Sequence, residues 1–259
     1  MADSHLSDEA WRQRTFLLAG LAAAAVVAMA FVKPIPQPLG YHDFRDGRAL
    51  LGIPNVLNVL SNLPFLLVGL IGLRWVQAQS PEHLDPELRV PYSIVFSGLA
   101  ATALGSAYYH WTPNNVTLVW DRLPIAMSFM GLYAAVLAER VTLKMATLFT
   151  LPLVALGGLS VGYWSLTDDL RPYLLAQFLP VLTIPLILWL YPARYTRGAD
   201  FLVGIGFYAL AKLLEEFDAG IYGALGMTLS GHTLKHLAAA VGAYWIYRML
   251  KERTFVARQ

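Results

Sequence analysis

Short polar segments divide this sequence into apolar runs about as long as a bilayer is thick. A helix needs about 20 predominantly apolar residues to cross the hydrocarbon core. Eight such runs can be drawn: Phe16–Val32, Ile53–Leu73, Tyr92–Trp111, Val116–Ala138, Met145–Trp164, Pro172–Leu190, Phe201–Leu214 and Leu229–Ile246. The connections between them are short and leave no room for a soluble domain. The predicted fold is therefore an all-α multi-pass membrane protein. Composition agrees, with 57% hydrophobic and 14% charged residues. Soluble domains run to about 45–50% apolar and about 25% charged, and a soluble globule of 259 residues could not cover this much apolar surface.

Low charge with abundant Trp and Tyr also excludes disorder, collagen and coiled coil. A net charge of +2 is too small to indicate a nucleic-acid partner, and the absence of cysteine removes thiolate metal sites and cysteine nucleophiles. The first run has a rival reading as a signal peptide cleaved near Ala28-Met29-Ala30. Asp3, Asp8 and Glu9 beside Arg12 and Arg14 make a poor leader, so a retained helix is expected. Lys and Arg set orientation. Twelve lie at one set of helix ends, from Arg12 and Arg14 to Arg253 and Arg258, against four (Lys33, Arg45, Arg48, Arg171) on the opposite loops. Both termini are expected in the cytoplasm, with the loops after the odd-numbered spans facing outward.

Ionisable groups inside spans are costly and mark function by default. Three groupings stand out: Tyr41 to Asp46 leading into Asn55, Asn58, Ser61 and Asn62; Ser106, His110, Asp121 and Arg122; and Lys212, Glu215, Glu216, Asp218, His232, Lys235 and His236. All fall near the outward ends of their helices. Residues four apart share a helix face, which pairs Ser106 with His110 and His232 with His236; the other histidines are His5, His42 and His83. Three imidazoles from two helices with one open position form the pattern of a catalytic zinc site, with Asp121 placed to handle the proton of a metal-activated water. Singly, each has an ordinary explanation. Ser106 reads as a packing hydroxyl, Asn58 and Asn62 as interhelical hydrogen bonding, Lys212 with Glu216 as an i, i+4 ion pair, and Asp121 with Arg122 as an interfacial anchor. Their convergence at one membrane face is what points to a site.

Ser106-Ala-Tyr-Tyr-His110, then Asp121, then His232-Thr-Leu-Lys-His236, together with Asn58-Val-Leu-Ser61-Asn62, resembles the alkaline ceramidase family. That family sits in the seven-helix membrane hydrolases that include adiponectin-type receptors and Per1-like proteins. The resemblance spans Tyr41 to Tyr247. It implies a tail and extra helix at 1–32, a seven-helix core at 33–250 and a basic cytoplasmic tail at 251–259. It also implies zinc on His110, His232 and His236, proton handling by Asp121, oxyanion stabilisation by Ser106, and a ceramide-like membrane lipid as substrate. Asn62, Tyr109 and Asp218 are candidates to orient the imidazoles. Animal-type members add a calcium site; the corresponding candidates here are Asp43, Asp46 and Asn55, the last where the family carries Glu. Alternatives are a receptor or sensor on the same core, an ester-lipid hydrolase, a haem protein using His110 with His232 or His236, and a proton-coupled transporter using Lys212, Glu215, Glu216 and Asp218.

Overall fold

The computed structural model describes residues 7–256; Asp3, His5, Arg258 and the end of the 251–259 tail lie outside the described residues. The helices are α1 (Asp8–Phe31), α2 (Val56–Leu60), α3 (Leu63–Ala78), α4 (Arg89–Trp111), α5 (Asn115–Arg140), α6 (Lys144–Thr167), α7 (Arg171–Leu190), α8 (Asp200–Glu216), α9 (Asp218–Ala224) and α10 (Gly231–Glu252). No β-strand occurs among the described residues, only isolated bridges at Leu50–Ile53 and Tyr195–Phe255. Six segments are long and apolar enough to cross a membrane: α1, α2 with α3, the helix ending at Trp111, α5, α6 and α7. This is an all-α multi-pass membrane fold, and the protein is an integral membrane protein. The two remaining long helices, α8 and α10, carry Lys212 and Glu215, and His232, Lys235 and His236. α8 is short, with 17 residues, and the polar residues of the site lower the hydropathy of α10.

Local chemistry sets the helix starts. Asn114 caps α5, accepting from the backbone N–H groups of Val116 (2.8 Å) and Thr117 (3.0 Å), and Ser230 caps α10 through Thr233 N (3.0 Å); such caps satisfy otherwise orphaned donors. The second apolar run is not one helix. Asn62 donates to the carbonyls of Asn58 (2.7 Å) and Val59, and Ser61 donates to Asn58 O. Side chains that bond the local backbone in this way compete with the helical ladder and separate α2 from α3. The helix α9, between α8 and α10, lies in a segment the apolar pattern left unassigned.

Short connections make successive long helices antiparallel. α4 packs between α3 and α5, α5 against α6 and α7, and α8 along α10, which closes on α3. α1 lies at the periphery on α7 and runs unbroken through Ala28-Met29-Ala30. It is tied down by Trp11 Nε1–Val141 O (3.4 Å) and Thr15–Tyr191 (3.0 Å), and Leu18 is its one buried residue. Large apolar side chains such as Leu67, Leu104, Leu151, Leu182 and Trp189 remain exposed on the outer surface, as a lipid-facing surface requires. At the end opposite the site, a buried cluster fastens the chain: Glu139 accepts from Tyr92 (2.6 Å) and Arg253 (2.6 Å), and Asp85 pairs with Arg194.

Candidate metal centre

The end of α4, the start of α5, the start of α10, the α2–α3 break and the end of α8 meet at one end of the bundle. Close approach of α4 to α5 depends on Gly105: a Cβ there would lie 1.9 Å from the carbonyl oxygen of Trp120. The same holds at the mouth of α10, where a Cβ on Gly231 would lie 2.1 Å from Leu214 O. These two contacts seat Ser106 and His110 against the start of α5, and His232 against α8.

His110, His232 and His236 are all buried, and one nitrogen from each converges on a common point. His110 Nε2 lies 3.3 Å from His236 Nε2 and 3.4 Å from His232 Nε2. An ion bound tetrahedrally by imidazoles at about 2.0–2.1 Å separates its nitrogens by about 3.4 Å, so the spacing fits. The hydrogen bonding fits as well. Ser61 Oγ gives its proton to the Asn58 carbonyl (3.2 Å) and therefore accepts from His236 Nδ1 (2.7 Å). That fixes the His236 tautomer and leaves the Nε2 lone pair free. Ring centroids 4.9–5.1 Å apart leave no slot for a macrocycle between the imidazoles, which removes the haem alternative.

Ser61 is the orienting residue that sequence reasoning missed; it sits in the polar run, but only the fold shows which imidazole it meets. Removing an outer partner of a ligating histidine typically costs 10–100-fold in metal affinity, and Ser61→Ala is expected to fall in that range by competitive chelator titration. The residues assigned to this role from sequence do other work. Asp218 accepts from the backbone N–H of His232 (2.8 Å), steadying the start of α10. Asn62 bonds the α2 backbone. Tyr109 OH is bonded to His42 Nδ1 (2.9 Å), tying the α1–α2 loop to α4. In that loop Phe44 places its ring 4.6 Å from both His110 and His232 and closes the triad from outside, a contact no sequence spacing signals.

The contacts of Asp43, Asp46 and Asn55 correct the calcium reading. Both Asp46 oxygens are engaged by the Arg48 guanidinium (2.7 Å each), which holds the Asp46 carboxyl below its usual range. Asn55 gives its amide to His110 O (2.8 Å), and Asp43 is exposed. A guanidinium stands where a cation would need oxygen, so no calcium is assigned here. The expected Lys212–Glu216 pair is also corrected: Lys212 pairs with Glu215 (2.6 Å), which also binds Lys235 and accepts from Tyr41 OH (3.0 Å). These partners, with Asp218 bonded to the start of α10, engage three of the four residues behind the transporter alternative; Glu216 is exposed.

Asp121 lies beside the Ser106 hydroxyl. Ser106, Asp121 and His236 all line a cavity of ≈ 440 Å³ that runs along the bundle between α4, α5, α7, α8 and α10. Away from this polar end its wall is apolar, as at Leu132, Ile184, Phe201 and Ile246. From Glu215 to Phe201 the lining descends α8 by about 21 Å at ~1.5 Å per residue.

A family model described as Ceramidase matches residues 52–197. The chain belongs to the ceramidase family. Membership makes it a membrane hydrolase of the amide bond of ceramide. The match covers Ser106, His110 and Asp121, while His232 and His236 lie beyond it and join the site through the fold. Comparison with curated proteins finds no match.

Proposed function

We propose that this ceramidase-family protein cleaves ceramide to a sphingoid base and a fatty acid with zinc held by His110, His232 and His236. The observation that carries the reading is the convergence of three buried Nε2 atoms beside a cavity that also presents Asp121 and Ser106. Zinc so held would polarise the amide carbonyl and acidify water toward neutrality. Asp121 accepts the proton of the attacking water as its oxygen bonds to the carbonyl carbon, then gives it to the nitrogen as the C–N bond breaks. The Ser106 hydroxyl donates to the oxygen on which charge develops. Phe44 and the loop fastened by His42, Asp46–Arg48 and Tyr41 keep bulk water from the triad, which strengthens each of these interactions.

The acyl chain lies in the apolar length of the cavity, whose about 21 Å along α8 exceeds one leaflet of a hydrocarbon core about 30 Å thick. α7 and α8 frame it and make little contact with each other, which suits lateral entry from the bilayer. The Lys and Arg distribution supports cytoplasmic termini and a site toward the outward leaflet, with α1 an addition to the seven-helix core. Amide chemistry is tested by supplying purified protein with a ceramide and a phospholipid ester of matched acyl chain. Release of fatty acid from the ceramide is expected to dominate; release from the ester alone would replace the amide reading by the ester one.

A further inference from the structure

The cavity that begins beside the triad ends against solid core. Its deepest wall is a ring of five apolar side chains, one from each of five helices: Val95 on α4, Leu132 on α5, Ile184 on α7, Phe201 on α8 and Ile246 on α10. Four of them belong to the buried core, and Leu132 packs against it. One turn further from the site, Tyr92, Val136, Ile187 and Met249 are fully buried and reach no part of the cavity. Three helices give the depth of this floor below the reacting groups. From His236 to Ile246, from Asp121 to Leu132 and from Ser106 to Val95 the wall descends about 15–17 Å at ~1.5 Å per residue. Carbon–carbon bonds of about 1.5 Å in a zigzag advance about 1.25 Å each, so an extended chain of about 12–14 carbons spans that depth.

A ceramide has two chains, and the wall just below the reacting groups suits one of them. One turn down lie Ile125 and Ala239, and Thr102 spends its hydroxyl on the carbonyl of Gly98 (2.8 Å). Hydroxyls beside the amide nitrogen, as on a sphingoid base, would lose water there without a partner. The acyl chain is hydrocarbon from the carbonyl onward. We propose that Val95, Leu132, Ile184, Phe201 and Ile246 are a chain-length stop, so that the site reads the acyl chain of its ceramide and excludes chains too long for the floor, while the length of the base goes unread. Lipid tails are already in hydrocarbon, so entering the cavity gains them little. Length is read by exclusion instead, because a packed floor resists extra methylenes. The stop deepens the amide-hydrolase reading and rests on it for the bond that is cleaved.

The test supplies purified protein with two series of ceramides. In the first the base is fixed and the acyl chain has 8, 12, 20 or 24 carbons. The two shorter chains are expected to be cleaved with similar kcat/KM, and the two longer ones about 10- to 100-fold less well, the size of an overpacking penalty. In the second series the acyl chain is fixed at 12 carbons and the base is lengthened, with little expected change. Phe201→Ala opens the floor and should raise the 20-to-12 ratio about tenfold. Ala243→Leu narrows the cavity about 10 Å below His236 and should lower the 12-to-8 ratio by a similar factor. Zinc content and thermal stability show which variants are folded. Equal cleavage along the acyl series, a break in the base series instead, or a break that a folded variant leaves in place overturns the stop. Competition of the acyl series against a fluorescent 12-carbon ceramide separates this inference from the hydrolase reading. A break in binding with no turnover at any length keeps the stop and sinks the chemistry; turnover of every length alike sinks the stop alone.

Discussion

Asp121→Asn is expected to keep the metal and lower ceramide turnover by about 10²–10⁴-fold, the usual contribution of a general acid–base group. The substitution preserves shape and removes the basic site. Asp121 is not among the three converging ligand atoms; it faces the cavity from α5 beside Ser106. Its proposed role is to receive a proton from water and deliver it to the departing amine. Ser106→Ala provides the comparison, with an expected loss of about 10²–10³-fold if the hydroxyl serves the oxyanion and almost none if it only packs. Turnover, zinc content and thermal stability are measured together. Loss of zinc along with activity in Asp121→Asn would make the carboxylate a ligand; retention of both would turn the account toward a receptor or sensor on the same core.

The second large effect is on the metal itself. His232→Ala and His236→Ala are each expected to lose most bound zinc and all but a trace of turnover, because two imidazoles hold the ion poorly. His236→Ala has the added consequence that the Ser61 hydroxyl loses its donor, the hydrogen bond that ties the α2–α3 break to α10, so that variant should also unfold at lower temperature than His232→Ala. Metal analysis of protein purified without chelator checks this, and unchanged zinc in both variants would refute the triad.

Much of this was legible in the residues. The apolar runs marked every long helix, because lipid imposes a length and a polarity that a chain cannot disguise. Four-residue spacing put Ser106 with His110 and His232 with His236 on shared faces, and alternation of the helices carried all of them to one end. What spacing could not show were contacts between distant segments. Ser61 meets His236 across 175 positions, and Tyr41 meets Glu215 across 174. Local competition was missed for a different reason. Asp46 stands as a calcium candidate in the sequence, although Arg48 two residues later takes both of its oxygens. The second apolar run read as one helix although Asn62 and Ser61 turn back on its backbone. Arg122 passed as half of an anchor pair with Asp121, since adjacency in sequence suggested a contact that helical geometry, which rotates neighbours by about 100°, does not provide.

The central claim is that three histidines hold a zinc ion that makes ceramide hydrolysis by this chain depend on metal. The most direct measurement is fatty-acid release from ceramide by purified protein as isolated, after chelation, and after stoichiometric zinc is restored. The account predicts turnover in the first state, its loss in the second and its recovery in the third, with recovery absent in His236→Ala. Turnover that continues undiminished after the metal has been removed would contradict it.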